Sequence, residues 1–412
     1  MTSCKLIVLL IIGLAFVISS CNSKKNSKLR DYDIEPVYLD IDPGDTSSYK
    51  ASEIFESIEY IPLETTESSK FSKITKMIVT KLYFVILDES LNEVLIFQKN
   101  GKFKCVIKPI VNNNQASHFG DFCIYNEIIK VTDDYRNVIQ EFDLSGEYLK
   151  EYNVTLSNIE YLISDEVKYN YRHFDDVEDN AVYWSKDGAR FYNLIISDYK
   201  DAKIIDRFFE YNPNCIGRFD VFKNGPVISA SIDGNVFYIE PYSYDIYKFG
   251  RGRLIGHYKI RLPNNYLIPS DFITNEEYLQ SRISFLNEHN NRHLIWGATA
   301  LAPLNEDVFG FTLMSQSDIE QNIIYFIKKN RFINMANIIS DKICYALPII
   351  EDRFKCTDGI NLYASVSPKL IFQAVNQLGL FKYFKDDFII RDFYLHGNGN
   401  SNPIIVKMLP KI

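Results

Sequence analysis

Residues 87–103, LDESLNEVLIFQKNGKF, and residues 132–148, TDDYRNVIQEFDLSGEY, align without a gap and lie 45 positions apart. Identical residues occupy equivalent turn positions in the two stretches: Asp88 and Asp133, Asn92 and Asn137, Gly101 and Gly146. A third copy of the tail carries Asn330 in the glycine position. Gly and Asn tolerate the left-handed conformation of a tight hairpin, so the pattern predicts a repeated unit of antiparallel strands.

Strand-like segments separated by turn residues continue along the chain. They are predicted at 82–88, 93–98, 103–107, 127–132, 138–142, 148–154, 190–196, 235–239, 245–249, 254–260, 307–313, 323–327 and 404–409, with turns at 187–188, 224–225, 233–234 and 358–359. Four-stranded units at this spacing are typical of propeller blades. The sequence therefore predicts an all-β fold, a six-bladed β-propeller of four-stranded antiparallel blades, with seven blades as the alternative. No Trp-Asp dipeptide occurs and only 18 residues are glycine, which disfavours the WD40 and kelch types.

Two segments have helical character. Thr274 and Glu277 are spaced as a capping box, and the residues that would share one face of the following helix are Leu279, Ile283 and Leu286. This pattern predicts a helical insertion between blades, and residues 369–385 have a mixed helical pattern.

A closed ring must pair its first and last strands, because an open sheet edge invites association. The run 58–63 precedes the first repeat and has no partner within it, and 404–409 is the last strand. We predict that both belong to one blade. The run 58–63 should be its outer strand or close to it, because Pro62 lacks an N–H and is best tolerated at an edge.

The first twenty residues are predicted to be a lipoprotein signal peptide. The apolar run 6–18 would span about 20 Å as a helix, too short for a bilayer core of about 30 Å. Small residues then precede Cys21 in a pattern that resembles the bacterial lipobox, in which the cysteine is acylated. The predicted organisation is a signal peptide in residues 1–20, a flexible tether in 21–50 and the propeller in 51–412, with lipid attachment at Cys21.

The residues after Cys21 indicate in which membrane of the cell envelope the lipoprotein is anchored. Asp does not follow Cys21, so the pattern resembles outer-membrane lipoproteins rather than inner-membrane ones. Surface-exported lipoproteins carry an acidic run there, whereas Lys24 and Lys25 occur here. We expect a lipid-anchored outer-membrane protein that faces the periplasm, with the cell surface as the alternative.

Composition excludes some classes of function. Hydrophobic residues make up 46% and charged residues 24%, which is a globular composition. The net charge of −8 argues against nucleic acid as a partner, because phosphate contacts need a basic surface. The cysteines form no CxxC pair and no Cys/His cluster. Buried free thiols are expected, with a Cys344–Cys356 disulfide as the alternative.

Candidate motifs are few, and each has a plainer explanation. His289 and His293 are spaced to share a helical face and bind zinc, but no third ligand accompanies them. Residues 250–252 and 231–237 resemble a phosphate-binding turn and a sialidase Asp-box, and both are interpreted as strand turns. Four tyrosines are interpreted as blade-packing residues rather than a carbohydrate-stacking surface: Tyr238, Tyr242, Tyr244 and Tyr247. Asp88 and Asp133 are interpreted as turn caps.

Four segments together resemble the six-bladed β-propeller lipoproteins of the Bacteroidota: IEYIPLETT (58–66), VLIFQKNGKF (94–103), YDIY (244–247) and NPIIV (402–406). The resemblance covers most of the mature chain and implies six blades, secretion and lipidation. It implies no reaction, because roles in that family are largely unassigned. The chain departs from the family after Lys108, where the Asn-rich residues 111–117 replace the usual Gly-rich connection.

Two functions of different classes fit these observations. The first is a non-catalytic binding or protein-interaction module, held at the membrane by its lipid, with a glycan, peptide or envelope protein as partner. The alternative is a metal-dependent hydrolase or lyase that uses the central channel. That chemistry needs three or four carboxylate, Asn or His ligands converging from the innermost strands. The sequence favours the first, without catalytic residues, metal or cofactor.

Overall fold

The computed structural model describes residues 34–111, 115–153, 159–164, 167–172, 191–198, 204–211, 228–230, 234–239, 242–278, 281–317 and 321–412. Four elements precede the first repeat: β1 (Val37–Asp40), β2 (Tyr49–Lys50), α1 (Ala51–Ile54) and β3 (Phe55–Pro62). The predicted flexible tether of residues 21–50 therefore needs a correction. Residues 37–50 carry β1 and β2, because Leu39 and Ile41 are buried in the propeller.

Three antiparallel sheets follow in chain order, and in each the strands pair in sequence order. Sheet 1 contains β4 (Lys76–Val79), β5 (Tyr83–Asp88), β6 (Glu93–Gln98) and β7 (Phe103–Ile107). Sheet 2 contains β8 (Phe119–Tyr125), β9 (Ile128–Asp133), β10 (Val138–Asp143) and β11 (Tyr148–Asn153). Sheet 3 contains β12 (Ile159–Ser164), β13 (Val167–Arg172), β14 (Phe191–Asp198) and β15 (Ile204–Tyr211).

The remaining sheets include strands from the N-terminal elements. Sheet 4 contains β16 (Ile228–Ala230), β17 (Val236–Ile239), β18 (Asp245–Gly250) and β19 (Arg253–Arg261), with β1 as a fifth strand parallel to β19. After α2 (Arg282–Asn287), sheet 5 contains β20 (Gly297–Pro303), β21 (Val308–Met314), β22 (Gln321–Phe326) and β23 (Arg331–Asn334). β24 (Ile338–Ile339) pairs with β2.

Sheet 6 contains β25 (Cys356–Thr357), β26 (Leu362–Val366), β27 (Ile404–Pro410) and β3, with α3 (Pro368–Leu378) and α4 (Ile389–His396) between β26 and β27. Short 3-10 turns lie at Asn264–Tyr266, Glu276–Tyr278, Met335–Asn337, Lys342–Cys344 and Leu380–Tyr383.

The all-β propeller is confirmed, but the expected six uniform blades are not matched. Five sheets are four-stranded antiparallel blades, and sheet 4 has the additional parallel strand β1. The innermost strands contact one another in a ring, from β4 through β8, β12, β16, β20 and β25 back to β4. Because that ring is closed, the seven-blade alternative is wrong.

The predicted ring closure is confirmed. β27 pairs with β3 in antiparallel register, from Ile404 opposite Pro62 to Pro410 opposite Phe55, and β3 is the outermost strand of sheet 6. The fully buried Asn402 fastens this closure to the next sheet. We call the β3–β27 pairing together with Asn402 the seam.

The repeated turns also agree with the sequence. Gly101 and Gly146 both have φ of 85°, and Asn330 has φ of 43°. Each of these turns joins the third and fourth strands of its sheet and packs on the outermost strand of the preceding sheet. A Cβ on Gly101 would lie 2.2 Å from the Pro62 carbonyl oxygen, and one on Gly146 would lie 2.9 Å from Cys105 Sγ. Glycine is therefore required at both positions by backbone angle and by space.

The helix predicted after Thr274 is wrong in its extent. A short 3-10 turn ends at Tyr278 and α2 starts only at Arg282, with no side-chain cap on either from Thr274. The cause is the buried guanidinium of Arg282, which donates to the Phe272 carbonyl at 3.1 Å and folds the segment back on itself. The helical character predicted for 369–385 is confirmed by α3 and the 3-10 turn that follows it.

Apolar side chains fill the spaces between neighbouring sheets. One cluster joins sheets 1 and 2 through Val85, Ile96, Phe122 and Val131. The largest joins sheets 5 and 6 and includes Val375 and Ile390 of α3 and α4. Burial of this kind is the main favourable contribution to folding.

Cys344 and Cys356 are free thiols, so the Cys344–Cys356 disulfide alternative is wrong. Burial raises the pKa of the Cys344 and Cys356 thiols. Within the described part of the chain, every helix is too short or too polar to cross a membrane.

Candidate functional site at the connection end

The number of strands in a blade decides which end of the propeller carries which connections. Four antiparallel strands are an even number, so the chain enters and leaves a blade at the same end. Connections between sheets therefore share that end with the connections from second to third strands. We call it the connection end. Turns from first to second and from third to fourth strands lie at the opposite end, the turn end.

The two ends differ in the length of their connections. At the turn end, eight described turns contain two to four residues each: 80–82, 99–102, 126–127, 144–147, 251–252, 304–307, 327–330 and 358–361. The connection end carries the two longest segments between strands, residues 262–296 and residues 367–403. The longest segments between strands therefore lie at one end of the ring.

Carboxylates of the repeat organise the connection end. Asp88, at the end of β5, accepts the N–H of Ser90 in its own turn at 3.0 Å and the N–H of Lys73 in the incoming connection at 3.3 Å. Asp133 makes the equivalent bonds in sheet 2, at 3.2 Å each. Both carboxylates are buried. They act as turn caps, as interpreted from the sequence, and they also tie each turn to the neighbouring connection.

Side chains make the same link in other sheets. In sheet 4 the Tyr244 hydroxyl donates to the Ile295 carbonyl at 2.6 Å, joining a second-to-third connection to the segment that enters sheet 5. In sheet 6 the Ser367 hydroxyl donates to Glu351 Oε1 at 2.9 Å. In the described parts of sheets 1, 2, 4 and 6, hydrogen bonds therefore join neighbouring connections at this end.

Residues 367–403, which we call the helical insertion, form the largest structure at this end. Ser367 accepts the N–H of Leu370 at 3.3 Å as the N-cap of α3, and Pro368 occupies the first turn. Gly379, with φ of 60°, ends α3 in the left-handed conformation. Local sequence signals thus fix both ends of α3.

Aromatic rings attach the helical insertion to the blades. The Phe388 ring stacks on Tyr345 with centroids 3.9 Å apart, and it meets Tyr60 of β3 edge-on at 6.4 Å. Burial raises the pKa of the Tyr60 phenol well above its ordinary value. A second aromatic group joins α3 to α4, with Phe372 and Tyr394 at 5.0 Å. The insertion is therefore a rigid platform.

The outer surface of this platform exposes apolar side chains. They lie on α3, on the 3-10 turn after it and on α4, and they are 44–66% exposed: Leu378, Tyr383, Ile389 and Leu395. The sequence predicted helical character here but did not single these residues out. Their exposure depends on how the helices pack against β3, which local patterning does not report. Four large exposed apolar side chains within one insertion make it a candidate interaction surface.

The turn end is used for packing between sheets. The Lys99 ammonium lies 4.7 Å from the Phe84 ring centroid and 5.5 Å from that of Tyr363, across the junction of sheets 1 and 6. Burial lowers the pKa of Lys99. The Tyr363 hydroxyl donates to Asp358 Oδ2 at 2.6 Å. These contacts hold two blades together.

The two histidines considered as zinc ligands do not share a helical face, in agreement with the preferred interpretation of a polar loop. α2 ends at Asn287, so His289 and His293 lie in the turns that follow, and His293 Nε2 is 2.9 Å from the Asn265 carbonyl oxygen. Within the described ranges, no group of three or more His, Cys, Asp or Glu side chains is arranged to hold a metal ion. The channel-hydrolase alternative gains no support from this part of the chain.

The tyrosine segment packs between blades, as interpreted. Tyr238, Tyr242 and Tyr247 are buried, and the Tyr238 ring stacks on Phe209 with centroids 4.8 Å apart. Residues 250–252 form the turn between β18 and β19, with Arg251 and Gly252 at positive φ. The turns at 234 and 359 have positive φ as well. Cys21, residues 231–233 and the turns predicted at 187–188 and 224–225 lie outside the described residues.

A family model described as a domain of unknown function, DUF4934, matches residues 38–408. The chain is similar in structure to a Bacteroides fragilis protein that is predicted to be exported, with a TM-score of 0.69 and 14% identity over 91% of this chain and 100% of that one. It is also similar to a DUF4221 family member from Bacteroides vulgatus, with a TM-score of 0.46 and 11% identity over 87% and 97% of the two chains. No curated protein matches the chain. The first likeness shows a shared fold.

Proposed function

We propose that this chain, which belongs to the DUF4934 family, a domain of unknown function, is a non-catalytic binding module of the cell envelope. Its connection end contacts the partner, and the helical insertion makes the central contact. The partner is an envelope protein or a peptide segment of one, because the insertion exposes three large aliphatic side chains and Tyr383 among polar and charged residues, a mixture typical of protein interfaces.

One observation carries this proposal: apolar side chains are exposed on a part of the fold that is itself firmly held. Leu378 and Tyr383 project from an insertion that is anchored through Phe388 on Tyr345 and Tyr60. A rigid platform loses little conformational freedom on binding, so its exposed apolar area is converted efficiently into affinity.

Site-specific photo-cross-linking tests the proposal. A benzophenone amino acid would replace Tyr383 on the helical insertion, and in a matched control it would replace Ile360 at the turn end. The two side chains are 66% and 63% exposed, so both variants should fold and present the probe to a similar degree. In intact cells of the native host we expect a discrete protein adduct from position 383 and none from position 360. Equal labelling from both positions, or none from position 383, would contradict the proposal.

We further propose that the protein is lipid-anchored through Cys21 at the outer membrane and faces the periplasm. The lipobox pattern before Cys21 supports this location, and so does the likeness to a protein predicted to be exported. We expect Cys21→Ala to accumulate as unprocessed precursor or to become soluble, and globomycin to block maturation of the native chain. A mature N-terminus other than an acylated Cys21, found by mass spectrometry, would overturn the anchor while leaving the binding surface untouched.

A further inference from the structure

Residues 37–54, which we call the strap, contact three sheets before the chain enters the seam. β1 lies on the outermost edge of sheet 4, parallel to β19, from Val37 opposite Tyr258 to Asp40 opposite Arg261. β2 runs parallel to β24, which follows sheet 5. α1 then leads into β3 of sheet 6.

Side chains of β1 meet groups on both sheet 4 and sheet 5. Leu39 is fully buried in the cluster between these sheets. The Asp40 carboxylate accepts two hydrogen bonds from the Arg261 guanidinium, at 2.6 and 2.7 Å. The Asp40 N–H donates to the Tyr325 hydroxyl at 2.9 Å, and the Arg261 guanidinium lies 4.3 Å from the Tyr38 ring centroid. The edge of β19 thus has a specific site for an extended strand with an apolar residue followed by Asp.

The residues that receive β1 lie on sheets 4 and 5. The residues of the strap that occupy the site lie within 38–41. The acceptor edge therefore cannot distinguish β1 of its own chain from β1 of another copy. An unfilled edge of β19 would expose a row of backbone N–H and C=O groups, which favours filling it with a strand from one source or the other.

The segment between β1 and β2 is long enough for β1 to pair with β19 of its own chain or with β19 of another copy. Residues 42–48 contain a turn at Pro43-Gly44, in which the Gly44 N–H donates to Asp42 Oδ1 at 2.9 Å. If this turn opens, the seven residues span roughly 23–25 Å when extended, far enough to reach a neighbouring molecule.

We propose that the outer edge of β19 is a strand-acceptor site, and that its occupant in an assembly is β1 of a second copy of this chain. Reciprocal exchange of β1 closes a two-fold dimer in which each acceptor site is filled and each ring remains intact. This inference is independent of the proposed binding function at the connection end.

A disulfide test distinguishes exchange from the arrangement within one chain. Tyr38 of β1 lies opposite Lys259 of β19. Neighbouring strands are about 4.8 Å apart, within the range of Cα separations that a disulfide bridges. One tagged, full mature chain would carry Tyr38→Cys and a differently tagged chain would carry Lys259→Cys. The two would be mixed at high concentration, oxidised and mapped by mass spectrometry.

In the matched control, the second chain carries Lys150→Cys instead of Lys259→Cys. Lys150 lies on β11, the exposed outermost strand of sheet 2, which has no counterpart of β1 among the described residues. A third sample carries Tyr38→Cys and Lys259→Cys in one chain at low concentration. Its intramolecular disulfide verifies that both cysteines are compatible with the fold.

We expect a disulfide between the cysteine introduced at position 38 of one chain and the cysteine introduced at position 259 of the other. It should form in large excess over the Lys150→Cys control and increase with protein concentration. We also expect Arg261→Ala to reduce the fraction of dimer in light scattering, because Asp40 loses both hydrogen bonds from the guanidinium. Cross-linking between mixed chains at the level of the Lys150→Cys control, while the single-chain sample forms its disulfide, would overturn the proposal.

Discussion

The N-terminal segment closes the propeller in two places, and the two closures differ in almost every physical respect. At the seam, β3 pairs with β27 in antiparallel register over seven Cα pairs, and buried side chains lie on both strands. On sheet 4, β1 pairs with β19 in parallel over four pairs, and its ion pair joins side chains that are 45% and 53% exposed. The first closure completes a blade, whereas the second only covers the edge of a sheet. We infer that the seam determines the global stability of the ring, and that the strap opens and closes locally.

Deleting residues 402–412 should have the largest effect, because it removes β27 from the middle of sheet 6. β3 would lose its only strand partner in the described structure, and the ring would open between sheets 6 and 1. We expect no cooperative thermal transition from the truncated chain, measured by circular dichroism beside the full-length protein. An unchanged midpoint would show that the seam does not hold the ring closed.

A pair of asparagines compares the seam with the strap directly. Asn402 donates to the Glu64 and Ser69 carbonyls at 2.8 Å each and accepts the Phe71 N–H at 2.9 Å. Asn402→Ala leaves the Ser69 carbonyl and the Phe71 N–H unpaired, at about 1–3 kcal/mol each, whereas the Glu64 carbonyl keeps the Ser69 hydroxyl as a donor. Roughly 2–6 kcal/mol of unfolding free energy should therefore be lost.

The matched variant is Asn337→Ala, which removes a single bond to the part-buried Asp45 carbonyl of the strap. It should cost about 0.5–1.5 kcal/mol, because water can replace the missing donor. Denaturant unfolding of both variants measures the difference. Similar losses from the two would mean that the strap contributes to global stability as much as the seam does.

The repeat glycines provide a finer comparison. A Cβ on Gly101 would meet the Pro62 carbonyl oxygen of the seam, whereas one on Gly146 would meet the movable Cys105 side chain between sheets 1 and 2. Both variants have the cost of a left-handed alanine, about 1–2 kcal/mol. We expect Gly146→Ala to lose about that much and Gly101→Ala to lose about 3 kcal/mol, because backbone must also move. Equal changes in the midpoint of urea unfolding would contradict this order.

The smallest effect should come from the Asp40–Arg261 pair of the strap. The hydrogen bond from Arg261 holds the pKa of Asp40 below its usual value, against the opposing effect of partial burial. The contribution of the ion pair to the stability of β1 is therefore fully present above about pH 4. It is lost as the pH falls through the lowered pKa of Asp40.

Asp40→Asn should weaken β1 by less than about 1 kcal/mol at pH 7, because the pair is exposed. The difference from the native chain should vanish at low pH. Hydrogen exchange of the β1 amides, corrected for intrinsic rates, measures it at both pH values. A difference that persists at low pH would mean that the carboxylate charge is not what holds β1.

The sequence predicted features that depend on local chemistry. The turns at Gly101 and Gly146 were found because a left-handed turn limits the residue type, and the caps Asp88 and Asp133 because they recur at the repeat spacing. The seam was found by a global requirement, since a ring must pair its first and last strands.

The features that sequence reasoning missed depend on distant partners. β1 has four residues, and its partner Arg261 lies 221 positions after Asp40, so nothing near Val37 indicates a strand. The helix after Thr274 failed because the buried Arg282 guanidinium folds the segment back. Likewise, Tyr383 could not be selected as a contact residue, since its exposure is fixed by how α3 and α4 pack on β3.

Because each blade has an even number of strands, its loops are divided between two ends, and this affects how such chains diversify over evolution. At the turn end, the turns at Gly101 and Gly146 fit against the preceding blade, so an added residue would collide with a neighbouring strand. At the connection end, segments as different as residues 89–92 and residues 367–403 perform the same topological task. Insertions and deletions are therefore tolerated at one end and eliminated at the other. We expect homologous chains to keep the lengths of their turn-end loops while their connection-end loops vary, so that a conserved ring can acquire new specificities without altering its blades.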